Sequence, residues 1–257
     1  MSEPSAGAVA VVVTGDTAAD DAAHRWAHWR AEAEGLELRS VRLADLAEAD
    51  VRIAVIGRHG EGGDAEDLLA LARSLPVPLV VVTATPDRPD RPAPSELLDP
   101  PGGAVVVGVP AQSDATALLD AAGAEAVVAG TDLHLVRVWG ESGWFGSMTR
   151  AAAPVLQDLR ESDRARLDAA ALHVHHRFPD LDVTARLGDG GVAEWLAALP
   201  GGTRLLAIGP DPADGTGTGA AAWALRHLQL PVLLAGAAPH PTSGADRAAH
   251  GGVVSGV

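Results

Sequence analysis

The sequence predicts an α/β protein made of two Rossmann-like open parallel sheets, flanked by helices and related by a pseudo-twofold. Three observations lead there. Apolar β-type runs alternate with helical runs along the chain. The pattern occurs twice: "RIAVIG" (Arg52–Gly57) matches "RLLAIG" (Arg204–Gly209), "PLVVVTA" (Pro78–Ala84) matches "PVLLAG" (Pro231–Gly236), and Val11–Ala27 matches Val106–Ala122 in length and pattern. Paired segments in one order read as an internal duplication. Between the copies lies a stretch rich in proline and charge, "TATPDRPDRPAPSELLDPPGG", which reads as a linker. The expected units are residues 7–85, a linker at 86–103, a fuller copy at 104–236 and a mobile tail at 237–257.

In the first copy, strand one falls at Ala8–Thr14. A helix follows, with Thr17 and Asp20 at capping-box spacing, Trp26, Trp29 and Ala33 on its apolar face, and Gly35 as its left-handed stop. Strand two is expected at Leu36–Leu43, with the chain passing almost directly to a strand at Val51–Ile56. A helix at Asp64–Leu75 and a strand at Val77–Thr83 finish the copy. The second copy adds more. After a strand at Leu133–Trp139, Leu156, Leu159, Leu167, Ala171, Val174 and Phe178 follow helical spacing between Pro154 and Pro179. "LDVTARL" (Leu181–Leu187) then alternates as a strand. The stretch Leu205–Gly236 reads strand, glycine-rich loop, helix, strand, and such a loop can present backbone N–H groups and a helix dipole to an anion.

Composition sets limits. With 257 residues, 47% apolar and only 3% aromatic, the core must be built from Ala, Val, Leu and Ile. Lysine, asparagine, tyrosine and cysteine are absent, which reads as GC-rich coding. Without cysteine there are no disulfides, thiolate metal sites or cysteine nucleophiles. A net charge of -15 argues against nucleic acid or an anionic membrane as partner. The first apolar run is too short to span a bilayer and has no basic segment before it, so the expected location is the cytoplasm.

The ordered pieces "VVVGVPAQS", "LHLVRVW", "FPDLDVTARLGDG", "LLAIGPD" and "LQLPVLLAG" resemble a universal stress protein domain over most of residues 104–236. The first copy resembles an abbreviated version that lacks the second helix and third strand. The resemblance implies an adenine-nucleotide α-hydrolase-like sheet, five-stranded in the full copy, with the last strands of the copies pairing. It also implies a homo-oligomer or an intramolecular pseudo-dimer, and ATP or AMP as the ligand class. Nucleotide-binding members carry an aspartate after strand one, and after strand four Gly, two residues, Gly, nine residues, then Gly-Ser or Gly-Thr. Carried over, the candidate residues are Asp16, Gly57 and Gly60 in the first copy, and Gly209, Gly217 and Gly219 in the second.

Both copies depart from that pattern. Pro110 stands at the second aspartate position, and Pro212, which has no N–H, at the second glycine. Asp211 and Asp214 sit where phosphate charge would lie, and Gly219-Ala220 closes the loop without a hydroxyl. Thr216, Gly217 and Thr218 could form a substitute nest. In the first copy Gly15-Asp16 has its order reversed, Asp64, Glu66 and Asp67 already complement a helix dipole, and the closing Gly-Ser or Gly-Thr is missing.

Other constellations read as structural. His173, His175 and His176 form a solvated helix end without i,i+4 pairing, and His24 and His28 lie on a solvated face beside Asp20 and Asp21. Trp139, Trp144 and Phe145 are either loop or dimer packing or a stacking platform. No nucleophile elbow is present, and a P-loop lysine is excluded because the chain has no lysine. The sequence therefore assigns no catalytic or metal residue. It reads as a non-catalytic stress-response regulator with degenerate nucleotide sites, acting through a protein partner or ligand. The alternatives are an adenine-nucleotide sensor and a diverged α/β enzyme.

Overall fold

A computed structural model describes residues 7–59, 65–84, 103–110, 114–139, 153–210 and 219–235. The first half runs β1 (Ala8–Val13), α1 (Thr17–Glu34), β2 (Leu38–Arg42), a 3-10 turn (Leu43–Glu48), β3 (Val51–His59), α2 (Ala65–Ser74) and β4 (Leu79–Ala84). The second runs β5 (Ala104–Gly108), α3 (Thr116–Ala129), β6 (Leu133–Trp139), α4 (Ala153–Arg177), β7 (Val183–Asp189), α5 (Val192–Ala197), β8 (Thr203–Ile208), α6 (Ala220–His227) and β9 (Val232–Leu234).

The nine strands form one sheet in the order β2-β1-β3-β4-β9-β8-β5-β6-β7. Within each half neighbours are parallel, and the halves join where β4 meets β9 antiparallel. The register there is Leu79 with Leu234, Val80 with Leu233 and Val81 with Val232, so a twofold passes through the Val80–Leu233 pair. The two expected sheets are thus one continuous sheet. The halves also repeat in detail: the β1–β3 and β5–β8 ladders each slip register after their first pair, and α1 and α3 each end on a left-handed glycine, Gly35 (φ 66°) and Gly130 (φ 60°).

Strands β1, β3, β4 and β5 read as almost unbroken apolar runs because they are covered on both faces. Val9, Val11, Val55, Val105, Val107 and Leu133 face a layer of α1, α3 and α4. Ala10, Val12, Ala54, Ile56 and Leu234 face α2 and α6, and Val106, Val136 and Leu206 face α5 and α6. Among the described residues no helix is long and apolar enough to cross a membrane.

Several expectations need correction. The N-cap of α1 is Asp16, not Thr17: its carboxylate accepts from the N–H groups of Ala18 and Ala19. Between β2 and β3 the chain makes the 3-10 turn, which buries Leu46. Helix α5 is six residues long, too short for a periodic signal, and was not expected. Leu159 follows the spacing of α4 yet is exposed, whereas Leu167 and Val174 are fully buried. Apart from Gly103, the linker and the tail lie outside the described residues.

Candidate functional site

In open parallel sheets the ligand crevice lies beyond the carboxyl ends of the strands, at the point where the order reverses. Each half has such a place, at the ends of β1 and β3 and at the ends of β5 and β8.

In the first half, β1 runs into Thr14, Gly15 (φ 92°) and Asp16. Asp16 caps α1 through Oδ1, and its Oδ2 stands 3.8 Å from Nδ1 of exposed His59. Asp20 reaches back: Oδ1 accepts from the Thr14 N–H (2.9 Å) and hydroxyl (2.8 Å), and Oδ2 from the Gly15 N–H (3.0 Å). Burial is the largest single influence on Asp20 and opposes its ionisation, but the hydrogen bonds from Thr14 and Gly15 together outweigh it and hold the carboxyl below its ordinary value. Gly57 has a packing reason to be glycine. A Cβ there would sit 1.8 Å from the Ala19 carbonyl oxygen, so β3 and α1 approach as closely as they do only without a side chain. Arg58 is buried and turned away, donating from Nη2 to the Leu228 carbonyl at the end of α6 (3.0 Å). Gly60 lies outside the described residues.

In the second half, β5 ends at Gly108, with Val109 and Pro110 beyond it. Asp114, just before α3, accepts from the N–H (2.9 Å) and hydroxyl (2.6 Å) of Thr116. Arg137, near the end of β6, is buried; it donates to the Val109 carbonyl (3.2 Å) and pairs with Asp163 of α4 at 2.7 Å. Gly209 follows β8, and among the described residues a Cβ there would meet no heavy atom within 4 Å. Gly219 is the N-cap of α6, with no side-chain cap bond. Asp211, Pro212, Asp214, Thr216, Gly217 and Thr218 lie outside the described residues.

A cleft of about 370 Å³ opens between α3 and α4, lined by Val109, Pro110, Thr116, Leu119, Arg166 and His173. On its wall His173 Nε2 lies 2.8 Å from Asp120 Oδ1, so this histidine is not simply solvated but ties α4 to α3. His28 pairs with Glu32 on an exposed face (3.4 Å). Among the described residues no group of three or more His, Asp or Glu could hold a metal. Trp144 and Phe145 lie outside the described residues.

Sequence reasoning missed three of these contacts: Arg137 with Asp163, Arg58 with Leu228, and His173 with Asp120. The signal for the first was an arginine inside the apolar run "LHLVRVW", since a buried charge needs a partner.

No protein-family model matches the chain, and no curated protein matches it either. Solved structures do match in fold. The chain is similar to universal stress proteins. A universal stress protein from Archaeoglobus fulgidus DSM 4304 is 14% identical, the match covering 86% of this chain and 77% of that one, with a TM-score of 0.48. A functionally unknown protein from Pseudomonas aeruginosa PAO1 is 16% identical, covering 89% and 80%, with a TM-score of 0.49. A universal stress protein from Archaeoglobus fulgidus in complex with dAMP is 19% identical, covering 51% of this chain and 96% of that one, with a TM-score of 0.38.

Proposed function

We propose that this chain is a tandem universal-stress-type regulator that works in the cytoplasm by engaging a protein partner, not by turnover or nucleotide sensing. In this reading residues 7–85 and 104–236 are two copies of one domain, paired within the chain as a pseudo-dimer. The observation that carries the reading is that, among the described residues, carboxylates and an arginine at both strand-end crevices are committed to contacts inside the protein. Asp16 caps α1, Asp20 holds the Thr14–Gly15 turn, Asp114 is bound to Thr116, and Arg137 is bound to Asp163 and Val109. A ribose or phosphate would have to displace those contacts, and each hydrogen bond it broke would leave a desolvated partner behind. The test is to denature freshly purified protein and analyse the released small molecules by mass spectrometry. The reading predicts no adenine nucleotide near stoichiometry; a stoichiometric nucleotide contradicts it.

A second reading, an adenine-nucleotide sensor, draws support from Gly209. Packing does not demand a glycine there, whereas close approach of a phosphate would.

A further inference from the structure

The two halves meet at a position where charge breaks the symmetry between them. Arg30 stands five residues before Gly35, which ends α1, and Glu125 stands five before Gly130, which ends α3. The two residues therefore occupy equivalent places in the two halves. A true twofold would set each against its own copy. In this chain the place is arginine on one side and glutamate on the other, with Arg30 Nε donating to Glu125 Oε1 at 2.7 Å and the side chains only 5% and 4% exposed. Each half supports its own member of the pair. Glu34 lies 2.7 Å from Arg30 Nη1; burial pushes the Glu125 carboxyl above its ordinary range, against which Arg30 and, more weakly, Arg204, stacked 4.3 Å from the Trp29 ring, favour its charged form.

We infer that the Arg30–Glu125 pair is a partner-selecting element of the β4–β9 interface, fitting the first half to the second half and rejecting a second copy of either. Two first halves joined by the same twofold would bury arginine against arginine, and two second halves would bury glutamate against glutamate. A buried ion pair adds little net stability over an apolar contact, but a mismatched buried charge is costly, so what the pair contributes is discrimination. The apolar strand residues at the axis, Val80 and Leu233, carry no such information. The inference rests on the sheet geometry and is independent of whether a nucleotide binds.

The test uses the full chain and three variants: Arg30→Glu, Glu125→Arg and the double exchange. Each single change reproduces inside the chain the like-charge contact that a self-paired copy would make, so its thermal midpoint measures the rejection. The expected fall is about 10 °C for each single variant. The double exchange is expected to recover at least half of that, because Glu34 remains on one side and Arg204 on the other, leaving two acids facing two bases. Should a reversal not fold, Arg30→Met is compared with Arg30→Met combined with Glu125→Met. The double variant is expected to be the more stable, since the single one leaves the Glu125 carboxylate buried without its arginine. Single variants that melt with the parent, or double variants no more stable than the weaker single, would overturn the inference.

Discussion

At the end of β1 the chain turns into α1 under two carboxylates, Asp16 and Asp20, while between β5 and α3 the described residues offer Pro110 and one carboxylate, Asp114, bound to Thr116. The matching glycines, Gly57 within β3 and Gly209 just after β8, differ in the same way. Gly57 is pinned against Ala19, whereas no described residue crowds Gly209. A third contrast concerns the two arginines near the ends of β2 and β6. Val41 pairs with Val12 as Val136 pairs with Gly108, so the next residues, Arg42 and Arg137, correspond. Arg42 is exposed, but Arg137 is buried beneath α4 and paired with Asp163. Among the described residues the first half has no counterpart of α4. Equivalent residues thus acquire different chemistry from what covers them, and a motif match alone does not reveal which role a residue plays.

The comparison can be broken by mutation, starting with the arginines. Arg137→Met leaves Asp163 without its partner and should cost about 3–5 kcal/mol of stability, whereas Arg42→Met should stay within about 0.5 kcal/mol. Urea unfolding followed by circular dichroism distinguishes the two; equal losses would refute the contrast. The glycines come next. Gly57→Ala forces β3 away from α1 and should cost about 3 kcal/mol, at the upper end for overpacking, while Gly209→Ala should leave the midpoint within about 0.5 kcal/mol of the parent.

Loss of the cap is a smaller effect. Asp16→Ala should cost about 1 kcal/mol, and if it costs nothing, Asp16 is not needed for α1 and is available to a ligand. The smallest effect concerns pH. The folded-state pKa of Asp20 lies below its ordinary value, so its stabilising contribution is present above that value and lost as pH falls through the lowered one. Stability in Asp20→Asn should therefore fall less steeply in acid than in the parent. An unchanged acid limb would show that the Thr14 and Gly15 contacts do not stabilise the charged form.

Much of the fold was legible because it rests on local rules. Apolar runs located the described strands other than β5 to within a few residues, β5 showing only in the match of Val106–Ala122 to the first copy, and Gly35 as a left-handed stop and Pro179 just beyond α4 marked helix ends. The cap of α1 was misplaced by one residue because Thr17 and Asp16 are both good caps, and the choice depends on the turn that Asp20 ties to Thr14 and Gly15. The candidate site was less legible. Gly57 fits a phosphate-loop pattern and a tight strand–helix contact equally well, and only the position of Ala19 shows that the contact is present. Nor does spacing along the chain reveal that Arg58 reaches a carbonyl 170 residues away.

The most direct measurement is calorimetric titration of the full chain with ATP and with AMP. If the polar groups of both crevices are committed internally, neither nucleotide produces saturable heat at millimolar concentration. Micromolar binding of either one, abolished by Gly209→Val in a protein that still folds, would contradict the account and make the crevice beyond β8 a nucleotide site.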